Sequence, residues 1–255
     1  MDAAGLLQPV SAFFLNAAFA WMCGSWFSLN TIHRPAALAC LLSTLLSLWA
    51  AAAVMAGTGL APAAVLLPHM LVDTAYGRAG LAGIAAMLIL MIAGRRSMPL
   101  AGLLLLGFAF SRALASHASG SAGILIAWLH LVMMGLWLGL VAVAAWLALT
   151  DLRRLSSAAT VALGGIVLTG FFNGWQRLQA PAQLIDHPYG VVLSVKLGLF
   201  LLAAALGAYN RFVGFPAAAS GQGTGRATLV LRLESVVLLA VLAAAAVLAT
   251  QEPPA

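Results

Sequence analysis

Four side chains with chemical potential share one helical face near the middle of this sequence: His130, Met133, Met134 and Trp137. Their spacing of i, i+3, i+4 and i+7 places them on one stripe of an α-helix. A neutral imidazole and two thioethers form a soft donor set, and soft donors select Cu(I) over magnesium, calcium or manganese. A related run stands earlier in the chain, where Met22 and Cys23 precede Gly24 as Met133 and Met134 precede Gly135. It would add a thioether and a thiol from a second helix. His117, between Ser116 and Ala118, precedes His130 across a short Gly/Ser stretch, so a tight hairpin would bring both to one mouth. Singly, each residue has a plainer role. Met fills apolar helices and Cys behaves as a small hydrophobe, while a lone His130 would hydrogen-bond a neighbouring helix. As a set they form the leading candidate metal site, with His130 first and the thioethers after it.

Two more histidines, His69 (beside Met70) and His187, would collect metal at the surface or serve as ordinary interfacial residues, the plainer reading being preferred for both. Other polar groups fall inside apolar runs: Asn16, Arg112, Asn173 and Lys196. Lys196 would pair with Asp186 or line a polar path. Arg232 and Glu234, near Asn210 and Arg211, would form a polar clamp between adjacent helices. The sequence has no G-x-S-x-G, no Walker loop, no paired carboxylates and no H-E-x-x-H, so no enzyme activity is expected and no nucleotide-driven pump.

The elements that must hold these residues follow from composition. Of 255 residues, 64% are hydrophobic and 7% charged, and mean hydropathy is +1.06. A soluble surface needs about a quarter charged residues, so the solvent for most of this chain is lipid. Continuous apolar runs predict eight spanning helices near 11–30, 36–56, 77–94, 99–116, 122–149, 158–177, 189–209 and 229–250. The runs do not alternate, which favours helices over a barrel. The two cysteines, Cys23 and Cys40, lie in apolar runs and make no disulfide framework. No cleavable leader is evident. The 12 basic against 6 acidic residues predict orientation rather than a nucleic-acid partner. Alternate loops hold Arg34; Arg95 and Arg96; Arg153 and Arg154; and Arg211, Arg226 and Arg232. These loops read as cytoplasmic, with both termini on the opposite, periplasmic side.

The chain also resembles itself. Residues 22–26 match 133–137, and Thr58-Gly59 matches Thr169-Gly170, both at an offset of about 111 positions. Asp73, Tyr76 and Gly77 match Asp186, Tyr189 and Gly190 at about 113. An offset of four spans conserves direction, so the expected architecture is an all-α polytopic bundle made by parallel 4+4 duplication. Its halves would be 1–116 and 117–255. Gly135-x-x-x-Gly139 and Gly170-x-x-x-Gly174 are close-packing signals.

The second half resembles a known family. The run from Trp128 through His130 and Trp137 to Gly139 is similar to the His…Trp-x-Gly segment of the copper resistance protein D (CopD/PcoD) family. So are Ser116-His117-Ala118, Thr169-Gly170 with Asn173 and Trp175, Tyr189-Gly190 followed by Lys196, Asn210-Arg211, and Arg232 with Glu234. The resemblance is strongest over residues 110–250. It implies an eight-span protein of the bacterial inner membrane that imports copper and works with a periplasmic copper-binding protein of the CopC type. Ser116 stands where the family usually has Gly. Two rival readings remain: a haem-binding electron-transfer bundle using His130 with His117 or His69, and a non-catalytic membrane assembly factor.

Overall fold

The computed structural model describes residues 3–93, 97–116, 120–147, 152–176, 183–221 and 223–251. His117, Arg95, Arg96 and Arg177 fall outside these residues. The described chain is helical throughout: α1 (Ala3–Leu29), α2 (Arg34–Ala56), α3 (Leu60–Asp73), α4 (Ala75–Ala93), α5 (Met98–Leu114), α6 (Gly120–Leu147), α7 (Leu152–Trp175), α8 (Gln183–Asp186), α9 (Pro188–Tyr209), α10 (Phe215–Ala219) and α11 (Thr224–Leu248). A π-helical turn, Asn210–Gly214, joins α9 to α10. Pro216 has no N–H to offer Phe212, so the backbone widens there instead of continuing as α-helix.

Each predicted span has its helix. Seven are long and apolar enough to cross a membrane. The eighth, α5, has 17 residues, about 26 Å at 1.5 Å per residue, the shortest length that spans. Exposed side chains agree with a lipid solvent: α7 turns Val161, Leu168, Phe171 and Trp175 outward, a stripe at helical spacing. The chain is thus a multi-pass membrane protein. The sequence reading missed α3 and α8. Both are too short to span, and Pro62 and Pro68 break the pattern around α3.

Helices start and stop where their sequences require. Ser97 caps α5, its Oγ accepting from the Leu100 N–H at 3.3 Å. Gly57 ends α2 with φ +61°, a conformation that costs other residues a Cβ clash. The core divides into two clusters. Leu15, Met22, Cys40, Met87, Leu90 and Phe108 build one between α1, α2, α4 and α5. Trp137, Leu140, Ala162, Ala203 and Leu238 build the other between α6, α7, α9 and α11. Helix α1 contributes to both, and its seam with α6 is backbone on backbone: a Cβ at Gly24 would overlap the Gly139 carbonyl, and one at Gly139 would overlap the Ala20 carbonyl.

One end of the bundle is rich in arginine. Trp26 Nε1 donates to the Met98 carbonyl at 2.9 Å, Arg154 stacks on Phe27, and Trp146 Nε1 donates to Ser235 Oγ at 3.3 Å. These contacts gather the C-terminal ends of α1 and α6 with the N-terminal ends of α5 and α7 and the middle of α11. Arg34, Arg154, Arg211, Arg226 and Arg232 all belong to this end.

The seam yields a first test. Gly139→Val should cost about 1–3 kcal/mol or more, the range for forcing methyl groups into a filled site. Gly107→Ala, with open space around it, should be close to neutral. Thermal unfolding of the purified chain, followed by loss of its monodisperse peak, checks this ordering; equal midpoints would show that the seam tolerates separation.

Candidate functional site

Helix α6 carries the leading residues, and its rotation is set by the seam. Gly135 and Gly139 face α1: a Cβ on Gly135 would press on Phe19 and lie 3.1 Å from Cys23 Sγ. At 100° per residue, His130, Met133 and Trp137 must then point away from α1, and they do.

His130 meets α7. Its Nδ1 lies 2.9 Å from Thr169 Oγ1, and Thr169 Oγ1 donates to the Gly165 carbonyl at 2.6 Å. A hydroxyl has one proton. With that proton on Gly165, Thr169 accepts from His130, so Nδ1 carries the ring proton and Nε2 the lone pair. The plain structural reading asked for a hydrogen bond to a neighbouring helix, and here it is. The same bond orients the ring as a second-shell partner orients a metal-binding imidazole. Gly170 lies beside the ring, where an added Cβ would make ordinary contact with His130 Cε1 at 3.4 Å.

Met133 packs one turn further along the same interface, where a Cβ on Gly165 would come within 3.1 Å of its Sδ. His130 and Met133 therefore form a two-turn patch against Gly165 and Thr169, themselves one turn apart. Met134 is partly buried against the second core cluster. Trp137 turns toward α9 and α11, edge-on to Phe200 at 5.5 Å.

Met22 and Cys23 do not join this patch. Met22 is fully buried in the first cluster with Cys40 and Met87, and Cys23 lies on the α1 side of Gly135. The body of α6, about 10 Å across, stands between Cys23 and Met133. Proximity in the repeat misled here, because a shared depth says nothing about a shared face.

The outer histidines have separate surroundings. His69 is exposed on α3, 3.8 Å from Asp73 one turn on. His187 caps α9: its Nδ1 accepts the Tyr189 N–H at 3.2 Å. That lone pair is occupied by the backbone. Thr74 does the same for α4, its Oγ1 accepting the Gly77 N–H at 2.9 Å. Gly77 then lies against Met70 and Leu71, and Gly190 against Gln183 and Leu184. The matched segments 73–77 and 186–190 thus build one local device, a capped helix start folded back on the short helix before it.

The polar clamp is a set of separate bonds. Arg211 donates to Ser156 Oγ at 3.2 Å and Thr160 Oγ1 at 3.0 Å. Arg232 reaches the Ala145 carbonyl at 3.4 Å and stacks on Trp146. Asn210 Nδ2 donates to the Ala227 carbonyl at 3.3 Å. Glu234 is buried, and it lines one cavity with Trp137. Lys196 and Asn173 are half-buried on α9 and α7, and Asp186 is exposed at the end of α8. Among the described residues no three of His, Cys, Asp and Glu gather into one cluster, so a soft-metal site here relies on thioether.

A protein-family model, CopD (copper resistance protein D), matches residues 149–248. The match runs from just before α7 to the end of α11 and bears out the family resemblance over those residues. No curated protein and no solved structure matches the chain.

The tautomer argument has a direct test. Nitrogen NMR of labelled imidazole in the purified chain should show one histidine with a protonated Nδ1. Thr169→Val should erase that signature and Thr169→Ser should keep it. A His130 protonated on Nε2 in the unmodified chain would refute the assignment.

Proposed function

We propose that this protein carries copper across the bacterial inner membrane, in the direction of uptake, using His130 and Met133 as its first coordinating pair. The observation that carries this reading is the CopD match over residues 149–248, which marks the chain as related to copper resistance membrane proteins. The α6–α7 patch supplies the chemistry. An imidazole lone pair on Nε2 and a thioether one turn away are neutral donors, so a Cu(I) ion brings a single charge into the membrane with no further charge from its ligands. Met134 is a third candidate donor from the same helix. His117 would stand at the entry mouth, and a periplasmic CopC-type protein would deliver the ion there.

In the same reading the arginine-rich end is cytoplasmic and both termini are periplasmic. The two halves, 1–116 and 117–255, are duplicates joined at the α1–α6 seam, which the shared device at 73–77 and 186–190 supports.

Copper stoichiometry of the purified chain and copper accumulation in cells test the site. His130→Ala should lose more binding than Met133→Leu or Met134→Leu, and the double Met variant should approach it. Thr169→Val should weaken binding about 10- to 100-fold, as loss of an orienting partner does. His187→Ala should leave copper unchanged and cost about 1 kcal/mol of stability as a lost helix cap. Unchanged copper content and uptake in His130→Ala would move the site elsewhere.

Topology has its own measurement. Reporters fused after Arg96 and Arg154 should read cytoplasmic, and one after Ala255 periplasmic. A cytoplasmic reading at Ala255 would overturn the assignment.

A further inference from the structure

Helices α6, α7, α9 and α11 enclose a cavity of about 210 Å³ that copper ligation does not use. It is lined at the arginine-bearing end by Leu152, Ser156 and Phe215, and extends inward to Trp137 and Glu234. At roughly 30 Å³ per water it has room for several.

Glu234 is 2% exposed. Its neighbours are the Trp137 indole and Gly207, where an added Cβ would fall 2.9 Å from Oε1. The single ion pair among the described residues is His69 with Asp73, so no arginine or lysine there neutralises this carboxyl. Asn210 lines the same cavity, is fully buried, and leaves its Oδ1 without a partner. A buried acceptor with no donor is costly, and a buried carboxylate with no counter-charge more so. The Glu234 carboxylate is an oxygen donor that a cation would satisfy, whereas Asn210 Oδ1 turns to Gly214, two turns along the chain from the Gly207 contact of Glu234.

Arg211 supplies a second charge close by. It lines the cavity but is tied to Ser156 and Thr160 on α7. It follows Gly207 by four residues, so it sits one turn, about 6 Å, along the face that touches Glu234. Its backbone belongs to the π-helical turn, a local widening frequent at functional sites. Among the described side chains the other charges are placed elsewhere. Helix α1 has no charged residue, and the one titratable residue of α6 is His130. On α7, Arg153 follows Leu152 in the chain and Arg154 stacks on Phe27. On α9, Lys196 is three turns from Gly207, and Arg226 of α11 stacks on Tyr209. On α11 itself, Arg232 is turned to Ala145 and Trp146.

We propose that this cavity is a cation-exchange site open to the arginine-bearing side, where the Glu234 carboxylate holds a hard cation, a proton or Na⁺, and Arg211 swings in as the substitute counter-charge when the cation leaves. The lining offers carboxylate, amide and hydroxyl oxygens and neither sulfur nor imidazole, which suits a hard cation and not Cu(I). In the proton case, a proton from cavity water adds to a carboxylate oxygen and returns to water on release. The site is independent of the copper reading.

The experiment is infrared difference spectroscopy of the purified full chain in lipid bilayers, stepping pH or exchanging choline chloride for NaCl, with no copper present. A carboxyl band should respond to one of the two steps and vanish in Glu234→Gln, which keeps the side chain's shape. A response to pH alone identifies the proton, and a response to NaCl at fixed pH identifies Na⁺. Trp137→Phe should shift the band's frequency, which assigns it to Glu234 even if Glu234→Gln does not fold. Arg211→Gln removes the competitor and should lower the cation concentration at half-response several-fold. A chain with no Glu234-dependent band under either step would make the carboxyl a fixed structural group and overturn the proposal. A band indifferent to Arg211→Gln would overturn the exchange.

Discussion

The crossing of α1 and α6 governs the rest of the bundle. In lipid there is no hydrophobic gain in bringing two apolar helices together, so association depends on close packing and interhelical hydrogen bonds. Gly24 and Gly139 let the two backbones touch, which side chains at either position would forbid. The consequence reaches beyond stability. Once Gly135 and Gly139 face α1, the rotation of α6 has no freedom left, and the opposite stripe is committed. His130 and Met133 go to α7, and Trp137 goes to α9 and α11. A helix that contributed chemistry from one face and packing from another would need this kind of anchor, because its apolar residues alone are too evenly distributed to choose a face.

Hydropathy made the spans legible, since eight runs of about 20 apolar residues have no other stable solution in lipid. The short helices α3 and α8 were illegible for the converse reason: too short to span, they are fixed by local caps at Thr74 and His187 and by the chain folding back at Gly77 and Gly190. Of the two small-residue signals, Gly135 with Gly139 marks the seam. Gly170 instead lies beside His130 with space for a Cβ, while nothing approaches Gly174. Spacing alone does not distinguish these uses. The imidazole and thioether of α6 were legible as one face, but the partners of the polar residues were not. Arg211 finds Ser156 and Thr160, and Glu234 finds Trp137, across 50 to nearly 100 residues of sequence, and one sequence carries no trace of such pairings.

The placement of Cys23 shows how far a repeat can be pushed. Residues 22–24 match 133–135, so both pairs sit at a similar level of their helices. In a parallel duplication the equivalent faces turn toward a common axis only where the helices pack through those faces. Here the packing face of α6 is the glycine stripe, and Cys23 lies against it. Its neighbours in the first cluster are Met22, Cys40 and Met87, a sulfur-rich interior of its own. The two sides of α6 therefore present different chemistry: thiol and thioether in the first core cluster, imidazole with thioether at the α6–α7 interface.

Trp137 stands where two kinds of donor meet. One turn before it on α6 is Met133, with His130 a turn beyond. On its other side are Glu234 and the cavity that extends to the arginine-bearing end. The indole packs edge-on to Phe200, and it is nearly fully buried. An ion passing from the α6–α7 patch to that end would have to displace this ring and leave nitrogen and sulfur donors for oxygen ones. A soft cation loses affinity at that step and a hard cation gains it. The boundary thus separates the two chemistries: Glu234 and Trp137 line the same cavity, and Trp137 bears on the patch through one turn of helix. In the reading proposed above, that short chain of contacts is the physical means by which a cation at the arginine-bearing end would influence the copper-binding face, with no need for the two ions to share a site.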